Sequence, residues 1–283
     1  MTEPGQEQSG RAPRNWSDLG PRLLSAAVLI AVTVASLAIG GLVFAFVVGL
    51  VFAGVYREWE TMVTREPLGT LSWVQIGLIL ATGLVDPIFG PLGSVLVIVG
   101  ACAIAWLGPA EHRLWRCGGL GFYGLVVIAV LAMRGEDTIG IWAGVYLGVT
   151  VWCTDSAAFF TGRQLGGEKL APDISPSKTW SGALGGLALG ATAGTLVWWF
   201  VADAPLWIGA ILSLLVSLLA QLGDLSESAI KRHFMIKDSG DIIPGHGGLM
   251  DRLDSLTFSA ILVLVLGTSR AGIEAVAPGL LVW

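Results

Sequence analysis

From residue 23 to residue 39 the chain carries no charged side chain, and apolar runs of similar length recur almost to its end. A helix needs about 20 apolar residues to cross the hydrocarbon core of a bilayer. Inside lipid every backbone N–H and C=O must be bonded within the structure, which restricts such runs to helices or closed barrels. Composition agrees: 54% of residues are hydrophobic and 13% charged, whereas a soluble domain needs a charged surface. The chain is read as all-α, a polytopic integral membrane helical bundle without a large soluble domain.

Nine spans are expected, over 23–39, 42–56, 71–85, 92–107, 120–133, 139–160, 183–202, 206–225 and 255–268. Gly40-Gly41 makes the first turn. A polar loop with Arg57, Glu58, Glu60, Arg65 and Glu66 follows the second span. Asp86-Pro87 and Gly90-Pro91 split the short third and fourth spans, and Glu111, His112, Arg113 and Arg116 form the loop after the fourth. A loop also covers 162–182. The ninth span is left open to an earlier start at 249, and the apolar tail 271–283 either lies at the interface or extends a span. The first run is too long for the core of a cleaved leader, so it is kept as a span. Residues 1–20 are polar, with Pro4, Gly5, Gly10 and Pro13, and read as a disordered cytoplasmic tail. Residues 21–283 then form a single transmembrane domain.

Loop charge sets orientation. With the N-terminus inside and nine spans, fourteen of the sixteen Lys and Arg residues fall on the inner face, and only Arg134 and Arg270 on the outer. The net charge of −5 and the lack of a long basic run give nucleic-acid binding no footing. Cys102, Cys117 and Cys153 are scattered and read as packing residues rather than metal ligands.

One stretch departs from this oily pattern. Residues 223–254 hold Asp224, Glu227, Asp238, Asp241, Asp251 and Asp254, the bases Lys231, Arg232, Lys237 and Arg252, and a loop with Gly240, Gly245, Gly247 and Gly248. If the eighth helix continues past Leu225, then Asp224, Glu227, Ser228 and Lys231 share one face. Asp251 and Asp254 are one turn apart. With the orientation above, these acids and Asp155 lie at inner helix ends and converge. Carboxylates near hydrocarbon need partners, and such a set suits Mg²⁺ together with phosphate oxygens. The plainer alternative is a solvated charge cluster with local salt bridges. Gly247-Gly248 exposes backbone amides to a phosphate, although no Walker loop is present. His246 either contacts phosphate or a leaving group, or is structural. Lys178 either reaches a phosphate or is an ordinary inner-face cation. Trp180 reads as a headgroup anchor, and His112 and His233 lack a comparable setting.

The run from Ser228-Ala-Ile-Lys-Arg through Lys237-Asp238, Gly240, Ile243-Pro244-Gly245-His246-Gly247-Gly248-Leu249 and Asp251-Arg252-Leu253-Asp254 resembles the signature of the phosphatidate cytidylyltransferase (CDP-diacylglycerol synthase) family. Gly223-Asp224 with Glu227-Ser228, Asp155 through Gly162-Arg163, and Ser175-Pro176 with Lys178-Thr179-Trp180 and Gly182 resemble further family blocks. The resemblance covers roughly 152–254, where the catalytic site is expected. Upstream only hydropathy and Glu58-Trp59 agree. Ser181 stands where many relatives carry an acid. The resemblance implies a multi-pass enzyme of the bacterial inner membrane with its site facing the cytoplasm, homodimeric, making CDP-diacylglycerol and pyrophosphate from CTP and phosphatidate in phospholipid biosynthesis. It implies Mg²⁺ at Asp224 and Asp251, with Asp254 and Glu227 nearby and a second cation left open.

Catalytic residues on this reading are Asp224, Asp251, Lys237, Asp238, His246 and Arg252. Substrate-binding residues are Asp155, Arg163, Lys178, Ser228, Lys231, Arg232, Gly247 and Gly248. The attacking phosphomonoester is already largely dianionic, with a second pKa of about 6, so no general base is needed. The task is to bring two anions together in line. Two other classes stay open on the residues alone: a cation-coupled transporter, with its acids at one membrane edge rather than the midplane, and a lipid kinase, which would want a base.

Overall fold

The computed structural model describes residues 19–240, 242 and 247–283, with side chains from Ala27 onward. The expected tail, except for its last two residues, and His246 lie outside the described residues. Among the described residues nine α-helices follow one another: α1 (Leu19–Ile39), α2 (Gly41–Thr64), α3 (Thr70–Leu107), α4 (Arg113–Arg134), α5 (Thr138–Leu165), α6 (Trp180–Val201), α7 (Leu206–His233), α8 (Asp254–Ala271) and α9 (Val276–Leu281). Six helical stretches among them are long and apolar enough to cross a membrane. Their outward faces carry Leu, Ile, Phe and Trp, as in Leu184, Leu189 and Leu196 of α6.

Helix α3 has 38 residues, about 57 Å if straight and nearly twice a hydrocarbon core. It is not straight. Gly90, between Pro87 and Pro91, takes φ 71° and ψ −178°, a backbone that other residues rarely adopt. Beyond it the chain folds back. The Ser94 hydroxyl donates to the Thr82 carbonyl at 2.8 Å, and at the far end a Cβ on Gly108 would stand 2.7 Å from Leu71. The third and fourth spans expected from sequence are the two limbs of this hairpin.

Three expectations are corrected. Residues 57–64 are not a loop but the last turns of α2, with Glu58 and Glu60 fully buried. Tyr56, Trp59, Met62 and Val63 continue the apolar stripe at helical spacing, and the two acids have interior partners. Arg113 and Arg116 likewise belong to α4 rather than to a loop. Arg116 binds Glu60 with both Nε (2.9 Å) and Nη2 (2.7 Å), and Ser72 donates to the same carboxylate at 2.8 Å. Finally, 162–182 is not all loop and the fold is not purely α. Helix α5 runs on to Leu165, and β1 (Lys169–Ala171) pairs antiparallel with β2 (Ser175–Thr179) before α6 begins. Strands this short, containing Lys and Pro, give no periodic signal.

The core is a seam between α2, α4, α5, α7 and α8. Helices α5 and α6 lie especially close because Gly186, Gly190 and Gly194 face Thr154 and Thr150, with Ser213 of α7 also against Gly194, and a Cβ on Gly190 would meet Thr154 Oγ1 at 2.0 Å. Across this seam Thr154 donates to Ser217 at 2.8 Å. Helix α9 tucks its Val276, Ala277, Leu280 and Leu281 into the core. The tail is therefore packed structure rather than a lone interfacial strip, and Asp203 pairs with Val282 beside it. At that end Arg134 donates to the Leu37 carbonyl at 2.6 Å. At the opposite end Arg65, just past α2, bonds the Phe234 carbonyl just past α7.

Candidate active site

Helix α7 does continue past Leu225, to His233. This places Asp224, Glu227, Ser228 and Lys231 on one face, as the spacing requires. Lys231 binds Glu227 one turn earlier at 3.1 Å and also pairs with Asp251. The β-hairpin brings Lys178 to the same face, where its ammonium lies 2.7 Å from Asp224. Thr179 fixes that approach: its hydroxyl caps α6 by accepting from the Gly182 amide at 3.1 Å.

Around these groups lies a cavity of about 920 Å³. Asp155, Arg163, Lys178, Asp224, Lys231, Asp238, Gly247, Asp251, Arg252 and Asp254, all expected at the site, line it. Ala158 and Phe159 of α5 and Ala183 of α6 form its apolar wall on that side, with Leu170 of β1 and Leu225 of α7 elsewhere in the lining. Ser228, Arg232 and Lys237 line a second cavity of about 470 Å³, which shares Ser177, Lys231 and Asp238 with the first. Gly248 and Glu227 stand directly behind. His246 alone among the expected residues lies outside the described ones.

The glycine loop is held at both ends by two carboxylates. Asp251 Oδ2 accepts from the Ser239 amide (3.1 Å) and the Gly248 amide (3.1 Å). Glu58, arriving from α2, accepts from the Leu249 amide (2.9 Å) and the Met250 amide (2.8 Å). The Ser239 hydroxyl sits 2.9 Å from Glu58 and 3.0 Å from Asp251, one proton between two acceptors. A Cβ on Gly248 would lie 1.8 Å from Ser239 Oγ and 2.7 Å from Glu58 Oε2, so no larger residue fits. Burial opposes ionisation of Asp251, but the bonds from Lys231 and Ser239 outweigh it and hold its carboxyl below the usual range.

Asp254 is different. It feels the charges of Glu227, Asp224 and Asp155, and the Ser255 amide (2.7 Å) and hydroxyl (3.4 Å) donate to it. The same hydroxyl donates to Asp155 at 3.0 Å. Three carboxylates from α5, α7 and α8 thus crowd one wall, with Lys178 against Asp224. Among the described residues no three acidic, histidine or cysteine groups close into a ready ligand cage. Hard oxygen donors gathered from three helices nevertheless fit Mg²⁺, which keeps water and phosphate oxygens in its shell.

Sequence reasoning missed Glu58, Ser239, Ser255 and Ser177 as site residues. For Glu58 the signal was present: an acid inside a helical apolar stripe needs an interior partner. For the serines there was none.

The profile of the cytidylyltransferase family matches residues 21–269. The chain belongs to the cytidylyltransferase family. Phosphatidate cytidylyltransferase of Brucella melitensis is 39% identical over 256 residues, covering 89% of this chain and 94% of that protein. The enzyme of the same name from Bacillus subtilis is 43% identical over 139 residues, 48% of this chain and 51% of its own length. That from Staphylococcus aureus is 45% identical over 122 residues, 43% of this chain and 47% of its own. For a cytidylyltransferase, the cavity has the right parts: bases and a glycine loop for phosphate, and acids for a cation.

Proposed function

We propose that the protein is a nucleotidyltransferase that moves CMP from CTP to phosphatidate, yielding CDP-diacylglycerol and pyrophosphate for phospholipid synthesis. The observation that carries this reading is one cavity joining an apolar wall on α5–α6 to Lys178, Lys231, Arg252 and the loop at 247–251. A lipid phosphate and a water-soluble triphosphate can meet there. Family membership and the names of the relatives support the same reaction.

The phosphate of phosphatidate, largely dianionic, attacks the α-phosphorus of CTP without a general base. Lys178, Arg163 and Arg252 offset the repulsion between the two anions, and Lys231, fixed between Glu227 and Asp251, presents its ammonium at the centre. Gly247 and Gly248 allow the loop backbone to approach phosphate oxygens. Asp224 and Asp251 would hold Mg²⁺, with Asp254, Glu227 and Asp155 around them. When bound, the ion would screen phosphate charge and favour departure of pyrophosphate.

The reading also takes the protein as a single membrane domain, 21–283, with nine crossings when the α3 limbs are counted separately. The N-terminus and the site face the cytoplasm of a bacterial inner membrane. The inner-face excess of Lys and Arg supports this orientation. A homodimer surrounded by membrane lipid completes it.

Purified protein given CTP labelled in the α-phosphate, phosphatidate and Mg²⁺ should place label in lipid and stop when chelator is added. Label remaining in water-soluble products overturns the proposal. Label entering lipid only from the γ-phosphate would make the protein a lipid kinase.

A further inference from the structure

The second cavity differs from the first in what lines it. Among the described residues its lining is Ser175, Ser177 and Ser228, Lys231, Arg232 and Lys237, with Pro176 and one acid, Asp238. It lies between β2, the last turns of α7 and the segment that follows. Arg232 is locked in place: its Nε donates to the Ile174 carbonyl at 3.2 Å and its Nη1 to the Ile236 carbonyl at 2.9 Å. These bonds leave Nη2 for a ligand. Lys237 has no partner among the described residues. A recess rich in hydroxyl and cationic donors, with Pro176 as its sole apolar side chain, suits a compact, highly charged anion. It offers nothing to an acyl chain.

We infer that this smaller cavity is the pyrophosphate subsite, holding the β- and γ-phosphates of CTP before transfer and the free product after it. The assignment rests on the cytidylyl-transfer reading and on the geometry of that reaction. A phosphatidate oxygen forms a bond to the α-phosphorus as the bond from that phosphorus to the β-bridging oxygen breaks. The electron pair leaves with pyrophosphate, and no proton need move. Attacking and leaving oxygens lie in line on opposite sides of the phosphorus. The lipid belongs on the apolar α5–α6 wall of the large cavity. The leaving group therefore departs toward the other recess, past the residues the two share, Ser177, Lys231 and Asp238.

The test is the reverse reaction, CDP-diacylglycerol plus pyrophosphate, with titration calorimetry of inorganic pyrophosphate in detergent as a readout independent of turnover. Lys237→Gln should raise KM for pyrophosphate about tenfold, the size of one charge-assisted hydrogen bond, and weaken calorimetric binding in parallel. KM for phosphatidate and for CDP-diacylglycerol should stay put, and Lys237→Arg should restore most of the loss. Ser228→Ala should shift the same constant in the same direction by less. A rise in KM for phosphatidate with pyrophosphate unaffected overturns the assignment and makes the recess the lipid phosphate site. Unchanged constants for both overturn it as well. Wild-type protein that binds pyrophosphate through Lys237 yet never exchanges label with lipid keeps the subsite and sinks the reaction instead.

Discussion

Two sets of acids stand near the same end of this bundle, one buried and one lining an open cavity, and they are settled differently. Glu60 meets Arg116 one to one, with side chains 0% and 7% exposed, and Ser72 adds a further bond. The carboxylate needs no ligand, and of the pair's own polar atoms only Nη1 of Arg116 is left buried without a partner among the described residues. In the cavity, by contrast, Asp155, Asp224 and Asp254 come from three helices; the one Ser255 hydroxyl serves both Asp155 and Asp254, and Lys178 meets Asp224. A buried pair matched one to one holds helices in place. Carboxylates gathered along a cavity wall cost stability instead, because like charges repel one another. Like charges gathered from several helices, rather than charge itself, separate the working end of the molecule from its scaffold.

This contrast can be broken at its strongest point. Asp224→Asn should lower cytidylyl transfer by about a thousandfold or more, while thermal unfolding in detergent stays at or above that of the parent because repulsion within the cavity falls. A parallel drop in melting temperature would make Asp224 a scaffold residue. The scaffold pair should behave in the opposite sense. Arg116→Met leaves Glu60 buried without its partner and should cost about 3–5 kcal/mol, read as loss of folded protein. Adding Glu60→Leu should recover much of it, and failure to recover would show that the pair does more than join α2 to α4.

Glu58 sharpens the contrast because it belongs to both sets: buried and matched like Glu60, but bonded to the glycine loop. Glu58→Gln keeps the shape and puts an amide where two backbone N–H donors expect an acceptor. We expect kcat/KM for CTP to fall about ten- to a hundredfold and hydrogen exchange to quicken at Ser239, Leu249 and Met250, with α4 unaffected. Uniform quickening across the bundle would assign Glu58 to the scaffold. The smallest effect should come from Lys178→Ala. Its pair with Asp224 is partly exposed, at 24% and 33%, and is worth less than about 1 kcal/mol to folding. KM for a substrate should rise about tenfold; if neither KM moves, Lys178 serves only the hairpin.

How much of this was legible depended on whether a signal was local. The face Asp224–Glu227–Ser228–Lys231 follows from helical spacing alone, and the hairpin at Gly90 from two prolines and two short apolar runs. The ends of α2 and α4 were misjudged because charge was equated with solvent, although Tyr56, Trp59, Met62 and Val63 continue the stripe. The pairings of Glu60 with Arg116 and of Glu58 with Ser239 join residues 56 and 181 positions apart. No periodicity encodes such meetings; tertiary packing creates them. The β-hairpin that carries Lys178 was invisible for the opposite reason, being too short for any pattern.

The reach of Glu58 also bears on how such a chain comes together. Translation would deliver this carboxylate nearly two hundred residues ahead of Leu249 and Met250, so the early helices must wait, inserted, for the late ones to dock. A fragment bearing 152–254 would possess almost every group that touches the cavity and still lack one of the two acids that shape its loop. Halves separated between α4 and α5 should be inert alone and regain activity when expressed together.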